Sequence, residues 1–298
     1  MKKRCSLILA GALVLGSGWV VPAQAQAQAP GKATLVERGS MYYSFETHLL
    51  DSADGKRRYR VYLGIPKQPA PMMGYPALFL LDGDAALAQL QDVWLSPHKL
   101  KNPPALVAIG YADAADATQE RTYDYTPAVS GGRNRDDVRK DWPSGGSRAF
   151  LELIEQRIKP LLTQSVPVDP NRQTLWGHGY GGLFVLDTLF RQPQAFQRYV
   201  ASDVVLGWQQ GHILKRAQDF QGVGGARPVQ LWLFSGSEDL TRKVTPEAPR
   251  RLAERLAGLP GLQVTPEVRP HLGPEGVLSL SLPAALEVAS DGAAAPRL

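Results

Sequence analysis

The sequence has almost no cysteine. Cys5 is the single one in 298 residues, and it lies ahead of an apolar stretch near the N-terminus. A disulfide framework and thiolate catalysis are thereby excluded from everything that follows it. Long hydrophobic runs are missing as well. The most apolar stretch, residues 7–21, has 15 residues, whereas a membrane span needs about 20. Nor is there an excess of one charge. Lys and Arg number 33 against 28 Asp and Glu. Without Lys2, Lys3 and Arg4 the balance is 30 against 28, which is no nucleic-acid footprint. His48, His98 and His212 are scattered without metal-ligand spacing, so no metal or cofactor is expected of them.

What is present begins with a targeting pattern. Lys2, Lys3 and Arg4 precede the apolar stretch, and Pro22 then introduces Ala23-Gln-Ala25-Gln-Ala27-Gln-Ala29. Overlapping A-x-A sites after a short apolar core predict a secretory signal cleaved after Ala25 or Ala27. The expected layout is a signal over 1–27, an N-terminal extension over 28–44, one domain over 45–288, and a disordered tail over 289–298.

Within the domain, short apolar runs alternate with helical periodicity. Tyr59–Ile65 alternates polar and apolar residues and stops at Pro66, a strand near a sheet edge. Ala77–Leu81 and Ala105–Ile109 are continuously apolar and stop at Asp82-Gly83 and Gly110, as strands buried on both faces of a parallel sheet do. Ala149–Leu162 carries an apolar helical stripe, flawed by Pro160. Thr174–Trp176 is a further strand that enters a glycine cluster and a helix over Gly182–Phe190. Val229–Phe234 and Leu262–Val268 add two late strands around a helix over Pro249–Leu259. This order predicts an α/β fold, a mostly parallel central sheet with helices on both faces. The stretch from Tyr111 to Ser147 has no periodicity and reads as a long loop, which in a compact domain is usually functional.

The glycine cluster Trp176-Gly177-His178-Gly179-Tyr180-Gly181-Gly182 has three readings. Gly177, Gly179 and Gly182 match G-x-G-x-x-G, with Asp203 about 20 residues on where a ribose-binding acid belongs. That fingerprint normally occupies the first strand–helix turn, and several strands precede this one. The same residues also read as a nucleophile elbow, G-x-S-x-G, with Gly179 in place of serine and the small residues Gly177 and Gly181 allowing close approach. The plainest reading is a glycine-rich helix start.

Three segments narrow the choice. Leu81-Asp82-Gly83-Asp84-Ala85, Arg121-Thr-Tyr-Asp124-Tyr125-Thr126-Pro127, and the run from Val168 to Asp187 together resemble the periplasmic siderophore esterases of the α/β-hydrolase superfamily, which hydrolyse the trilactone of enterobactin-type siderophores. The likeness runs from about Phe45 to Leu286. It implies an α/β-hydrolase fold, a periplasmic protein and a small-molecule ligand such as a ferric siderophore. No nucleic acid, membrane span or nicotinamide cofactor is implied. The family pattern also implies an oxyanion hole from the N–H of Tyr180 and the turn Gly83-Asp84. Glu238 and Asp239 stand where a triad acid belongs, although a solvated acid pair fits them equally. Arg121, Arg133 and Arg135 are candidates for binding an anionic ligand, and Arg133–Lys140 reads equally well as a solvated charge run.

This chain departs from the family at the chemistry. Gly179 has no side chain to attack an ester. Aligned on Gly276, the family's histidine falls on Glu275, and a carboxylate cannot relay a proton as imidazole does near neutral pH. His271, four residues earlier, is the alternative base. The reading is therefore an exported α/β-hydrolase-fold protein, impaired in catalysis and retaining ligand binding. An active ester hydrolase using His271 or another group is the alternative, and a dinucleotide-binding protein the weaker one.

Overall fold

The computed structural model describes residues 33–113, 117–131, 134–139, 142–225, 227–236, 245 and 247–291. Its strands are β1 (Tyr43–Asp51), β2 (Arg58–Pro66), β3 (Tyr75–Leu81), β4 (Ala105–Tyr111), β5 (Val168–His178), β6 (Arg198–Ser202), β7 (Val229–Ser235) and β8 (Leu262–Val268). They form one sheet in the order β1-β2-β4-β3-β5-β6-β7-β8. β2 pairs antiparallel with β1 and β4, and every other pairing is parallel.

Every residue of β3 and β4 is buried, which is why these strands read as unbroken apolar runs. Successive side chains leave a strand on opposite faces, and the core divides accordingly. Ala77, Phe79 and Leu81 pack with Leu183, Phe184 and Leu186 of the helix Tyr180–Arg191. Leu78, Leu80 and Trp176 pack on the other face with Ala86 and Leu87 of the helix Gly83–Gln89 and with Val277, Leu282 and Ala285 of the helix Pro274–Asp291. Helices thus cover both faces, as expected.

The strand order also places the site. β3 lies between β4 and β5, so the chain leaves β3 to one side and returns on the other. Such a switch point opens a crevice at the carboxyl ends of the strands. Here those ends are Leu81-Asp82 and His178-Gly179.

Four features differ from the sequence expectation. The helix after the long loop runs Ser147–Leu153, a π turn over Ile154–Ile158, then Lys159–Ser165. Pro160 has no N–H and its ring crowds the carbonyl four residues back, and a widened turn absorbs both defects. The loop itself contains a helix, Ala117–Asp124. At the front, Thr34 and Glu37 form a capping box on the short helix Leu35–Arg38, and Leu35 is buried. Arg38 Nη2 donates to the Leu90 carbonyl at 2.8 Å, so this segment packs on the domain. At the back, the last helix continues to Asp291, because Ser290 is buried and its Oγ accepts the Asn102 N–H at 3.1 Å.

The predicted signal, Cys5 included, lies outside the described residues. Among the described residues no helix is long and apolar enough to cross a membrane, and no group of His, Cys, Asp and Glu is placed to hold a metal ion.

Candidate active site

A single residue joins β5 to the helix Tyr180–Arg191. It is Gly179, at φ 59° and ψ −114°, a backbone conformation that L side chains adopt only under strain. Its N–H donates to the Ser202 carbonyl at 2.9 Å, and its own carbonyl accepts the Leu183 N–H at 3.1 Å. The turn is sharp enough that strand and helix touch. A Cβ on Gly177 would stand 2.4 Å from the Gly181 carbonyl oxygen, and one on Gly182 would stand 2.8 Å from the Ser202 carbonyl oxygen. Gly181 was expected to be the second small residue of the elbow, yet its Cβ would meet Leu81 at an ordinary 3.5 Å. The close contacts belong to Gly177 and Gly182. Apart from its two chain neighbours, no atom of the described residues lies within 4 Å of the position of a Gly179 Cβ.

The residue before the elbow faces a cavity. His178 lines a pocket of about 340 Å³ together with Asp82, Asp84, Tyr111, Arg121 and Trp176. Its Nδ1 lies 3.1 Å from Ser202 Oγ. Burial is the main reason that its pKa falls to about 4, with Asp82 opposing the shift and Arg121 adding to it. At neutral pH the imidazole is therefore uncharged. A larger groove of about 490 Å³ between the helices His212–Asp219 and Ala248–Ala257 lies away from the elbow.

The opposite wall is the turn after β3. Asp82 sits at φ 52° and ψ 50°, the left-handed region that Asp tolerates better than most residues. Its carboxylate accepts both Nε and Nη2 of Arg121 at 2.7 Å, and its N–H donates to the Tyr125 hydroxyl at 3.0 Å. Arg121 was expected to meet an anionic ligand. It does line the cavity, but its fork is engaged by Asp82. Gly83 and Asp84 open the next helix, and the Asp84 carboxylate accepts the Tyr62 hydroxyl at 2.5 Å and Arg60 Nη1 at 3.4 Å.

One carboxylate of the long loop gathers several bonds beside the elbow. Asp136, 1% exposed, accepts the Tyr180 hydroxyl at 2.9 Å, Trp208 Nε1 at 2.8 Å, and the N–H groups of Val138 and Arg139 at 3.2 and 2.6 Å. Sequence reasoning missed Asp136, because Arg133–Lys140 reads as a solvated run. Asp137 is half-buried and accepts the Gln209 N–H at 3.1 Å, while the two described arginines fit that plainer reading. Arg135 is exposed with its carbonyl accepting from Gln209, and Arg139 is exposed with its guanidinium 4.4 Å from the Trp142 ring centroid. Arg133 lies outside the described residues, as do Glu238 and Asp239.

The late turn is packed against the end of β7. Arg269 N–H donates to the Ser235 carbonyl at 2.8 Å, and a Cβ on Gly236 would stand 2.3 Å from the Leu272 carbonyl oxygen. His271 is exposed in this turn, and Glu275 is exposed in the first turn of the last helix. Leu278, one turn beyond Glu275, reaches the cavity wall. The dinucleotide reading loses its basis here. The glycine cluster follows the fifth strand of the sheet and not the first, and the dinucleotide fingerprint does not belong there.

A strand–elbow–helix turn at the switch point of such a sheet defines an α/β-hydrolase. The esterase family described as "Putative esterase" matches residues 52–205. The apo-salmochelin esterase of Escherichia coli O6:H1 (strain CFT073) is 40% identical over 185 residues, 61% of this chain and 58% of that protein. The ferri-bacillibactin esterase of Bacillus subtilis (strain 168) is 32% identical over 225 residues, 72% of this chain and 78% of that protein. Among solved structures, an enterobactin and salmochelin hydrolase, IroE, superposes with a TM-score of 0.69 at 31% identity, over 86% of this chain and 99% of that one. The chain belongs to this esterase family, within the siderophore esterases of the α/β-hydrolase superfamily.

Proposed function

We propose that this protein is an exported, periplasmic siderophore-binding member of the family that has lost ester hydrolysis. The observation that carries the reading is Gly179, which keeps the strained elbow backbone and offers an empty space where a nucleophilic side chain would stand. In subtilisin, removing the nucleophile alone costs about 10⁶ in rate. Binding and oxyanion stabilisation leave roughly 10³–10⁴ over water, too little for physiological turnover. The N–H of Tyr180 and the turn Gly83-Asp84 would still polarise a ligand carbonyl. Glu275 in the family's histidine position replaces the imidazole base with a carboxylate, and Glu238 or Asp239 would have been the orienting acid. The names of the relatives support a siderophore as the ligand.

The test is hydrolysis of iron-free enterobactin followed by chromatography, alongside quenching of tryptophan fluorescence, to which Trp176 in the cavity wall contributes. Wild type should bind without turnover. Gly179→Ser should fold, since space is free, at a cost of about 1–2 kcal/mol for a side chain in this backbone region. It should gain little activity, and Glu275→His alone should gain none. The double variant should exceed the product of the two single effects, because nucleophile and base act as a unit. Efficient turnover by wild type would overturn the reading and turn attention to His271.

A further inference from the structure

We infer that Arg121 is a positioning residue whose fork on Asp82 locks the β3 turn against the elbow, and that it does not read the charge of the ligand. The inference rests on the reading above that this cavity is the ligand site.

The geometry is one of three elements meeting at one guanidinium. Arg121 comes from the helix Ala117–Asp124 and closes a two-point bond on Asp82. Tyr125, one helical turn later, takes the Asp82 N–H, so the same short segment holds the side chain and the backbone of Asp82. That grip acts on a residue in a left-handed conformation, and the conformation of Asp82 sets the direction of the N–H groups that follow it at Gly83 and Asp84. The guanidinium also lies 5.3 Å from the Tyr125 ring centroid and 5.7 Å from that of Tyr180, within the range of cation–π attraction. Tyr180 is the first residue of the elbow helix. Arg121 therefore ties together the two turns whose N–H groups would converge on a carbonyl.

The same contacts leave it little freedom to serve a ligand's charge. Both members of the pair are only about one-fifth exposed, at 23% and 21%. The carboxylates of Asp82 and Asp84 share the cavity wall with it, and Arg60 pairs with Asp84, so among the described residues these groups offer an anion no net positive charge.

A lysine cannot replace a bidentate fork, which makes Arg121→Lys the informative variant. Backbone amide resonances provide a readout that needs neither ligand nor turnover. Arg121→Lys should shift Gly83, Asp84 and Tyr180 together, across two separate elements, in a protein that still melts cooperatively. Shifts confined to residues 117–124 would overturn the inference. Ferric enterobactin, an anion, and the iron-free form, as the uncharged probe, supply the second arm. Arg121→Lys, Arg121→Met and Asp82→Asn should each weaken both probes about tenfold, and Arg121→Met with Asp82→Asn should be no worse than either alone. A charge-reading arginine predicts the opposite pattern. Lysine would then retain ferric binding, methionine would lose the ferric probe only, and Asp82→Asn would strengthen it. If wild type binds neither probe, the functional reading fails, while the amide shifts still decide the role of Arg121.

Discussion

Two turns border the cavity, and side chains take a larger part in holding one than the other. The elbow after β5 is fixed by contact of backbone with backbone: Gly177 against Gly181, Gly182 against Ser202, and the Gly179 N–H on the Ser202 carbonyl. None of these contacts involves a side chain at position 179. The turn after β3 also packs backbone on backbone, since a Cβ on Gly83 would stand 2.7 Å from the Ile109 nitrogen, but it adds side-chain bonds through Asp82, Arg121 and Tyr125. The difference explains how a nucleophile can vanish while its scaffold stays. An elbow built from glycine contacts does not register what position 179 carries, whereas the β3 turn depends on the identity of two charged residues.

The comparison is broken most severely at Gly177. Gly177→Ala forces a methyl into the Gly181 carbonyl and should destabilise the protein by about 3 kcal/mol or more, read from the urea midpoint. A cost under 1 kcal/mol would mean that the elbow is not held by backbone contact. His178 tests whether anything titratable contributes to the elbow. Its folded pKa of about 4 lies below the ordinary 6.5. Between those values the unfolded chain binds more protons than the folded one. The contribution, about 3 kcal/mol, is therefore complete above pH 6.5 and lost as pH falls towards 4. Denaturation at pH 4.5 and 7 should show the difference, and His178→Gln should remove most of it. The smallest effect belongs to Gly181. Gly181→Ala meets only an ordinary contact, and alanine favours a helix by roughly 0.5–1 kcal/mol over glycine. Its midpoint should match or slightly exceed that of wild type, and a large loss would return Gly181 to the tight part of the turn.

How much of this was legible in the sequence depends on whether a feature is local. β3 and β4 were readable because both their faces are buried, so every residue is apolar. The elbow was readable because its spacing is a steric requirement within six residues. The helix Ala117–Asp124 was not. It buries only Thr122 and Asp124, so it carries no apolar stripe for a periodicity argument to find. The pairing of Arg121 with Asp82 spans 39 residues, and the hub at Asp136 joins three segments of chain. No local pattern announces either. The last helix was hidden by Pro283 inside it, a residue that ordinarily marks an end. The Asp82-Gly83 dipeptide gave a turn signal, but nothing in it foretold which residue would hold the turn.

Asp136 has a consequence in time rather than in space. One carboxylate takes four donors, two from its own loop, one from the elbow helix and one from Trp208. Moving this part of the loop away from the elbow helix breaks the Tyr180 and Trp208 bonds together, and with them the bonds of Gln209 to Asp137 and to the Arg135 carbonyl. Opening is thus a rare, concerted event of the kind seen as a single unit in hydrogen exchange. The residence time of anything trapped beneath the loop would be set by how often that cluster of bonds lets go.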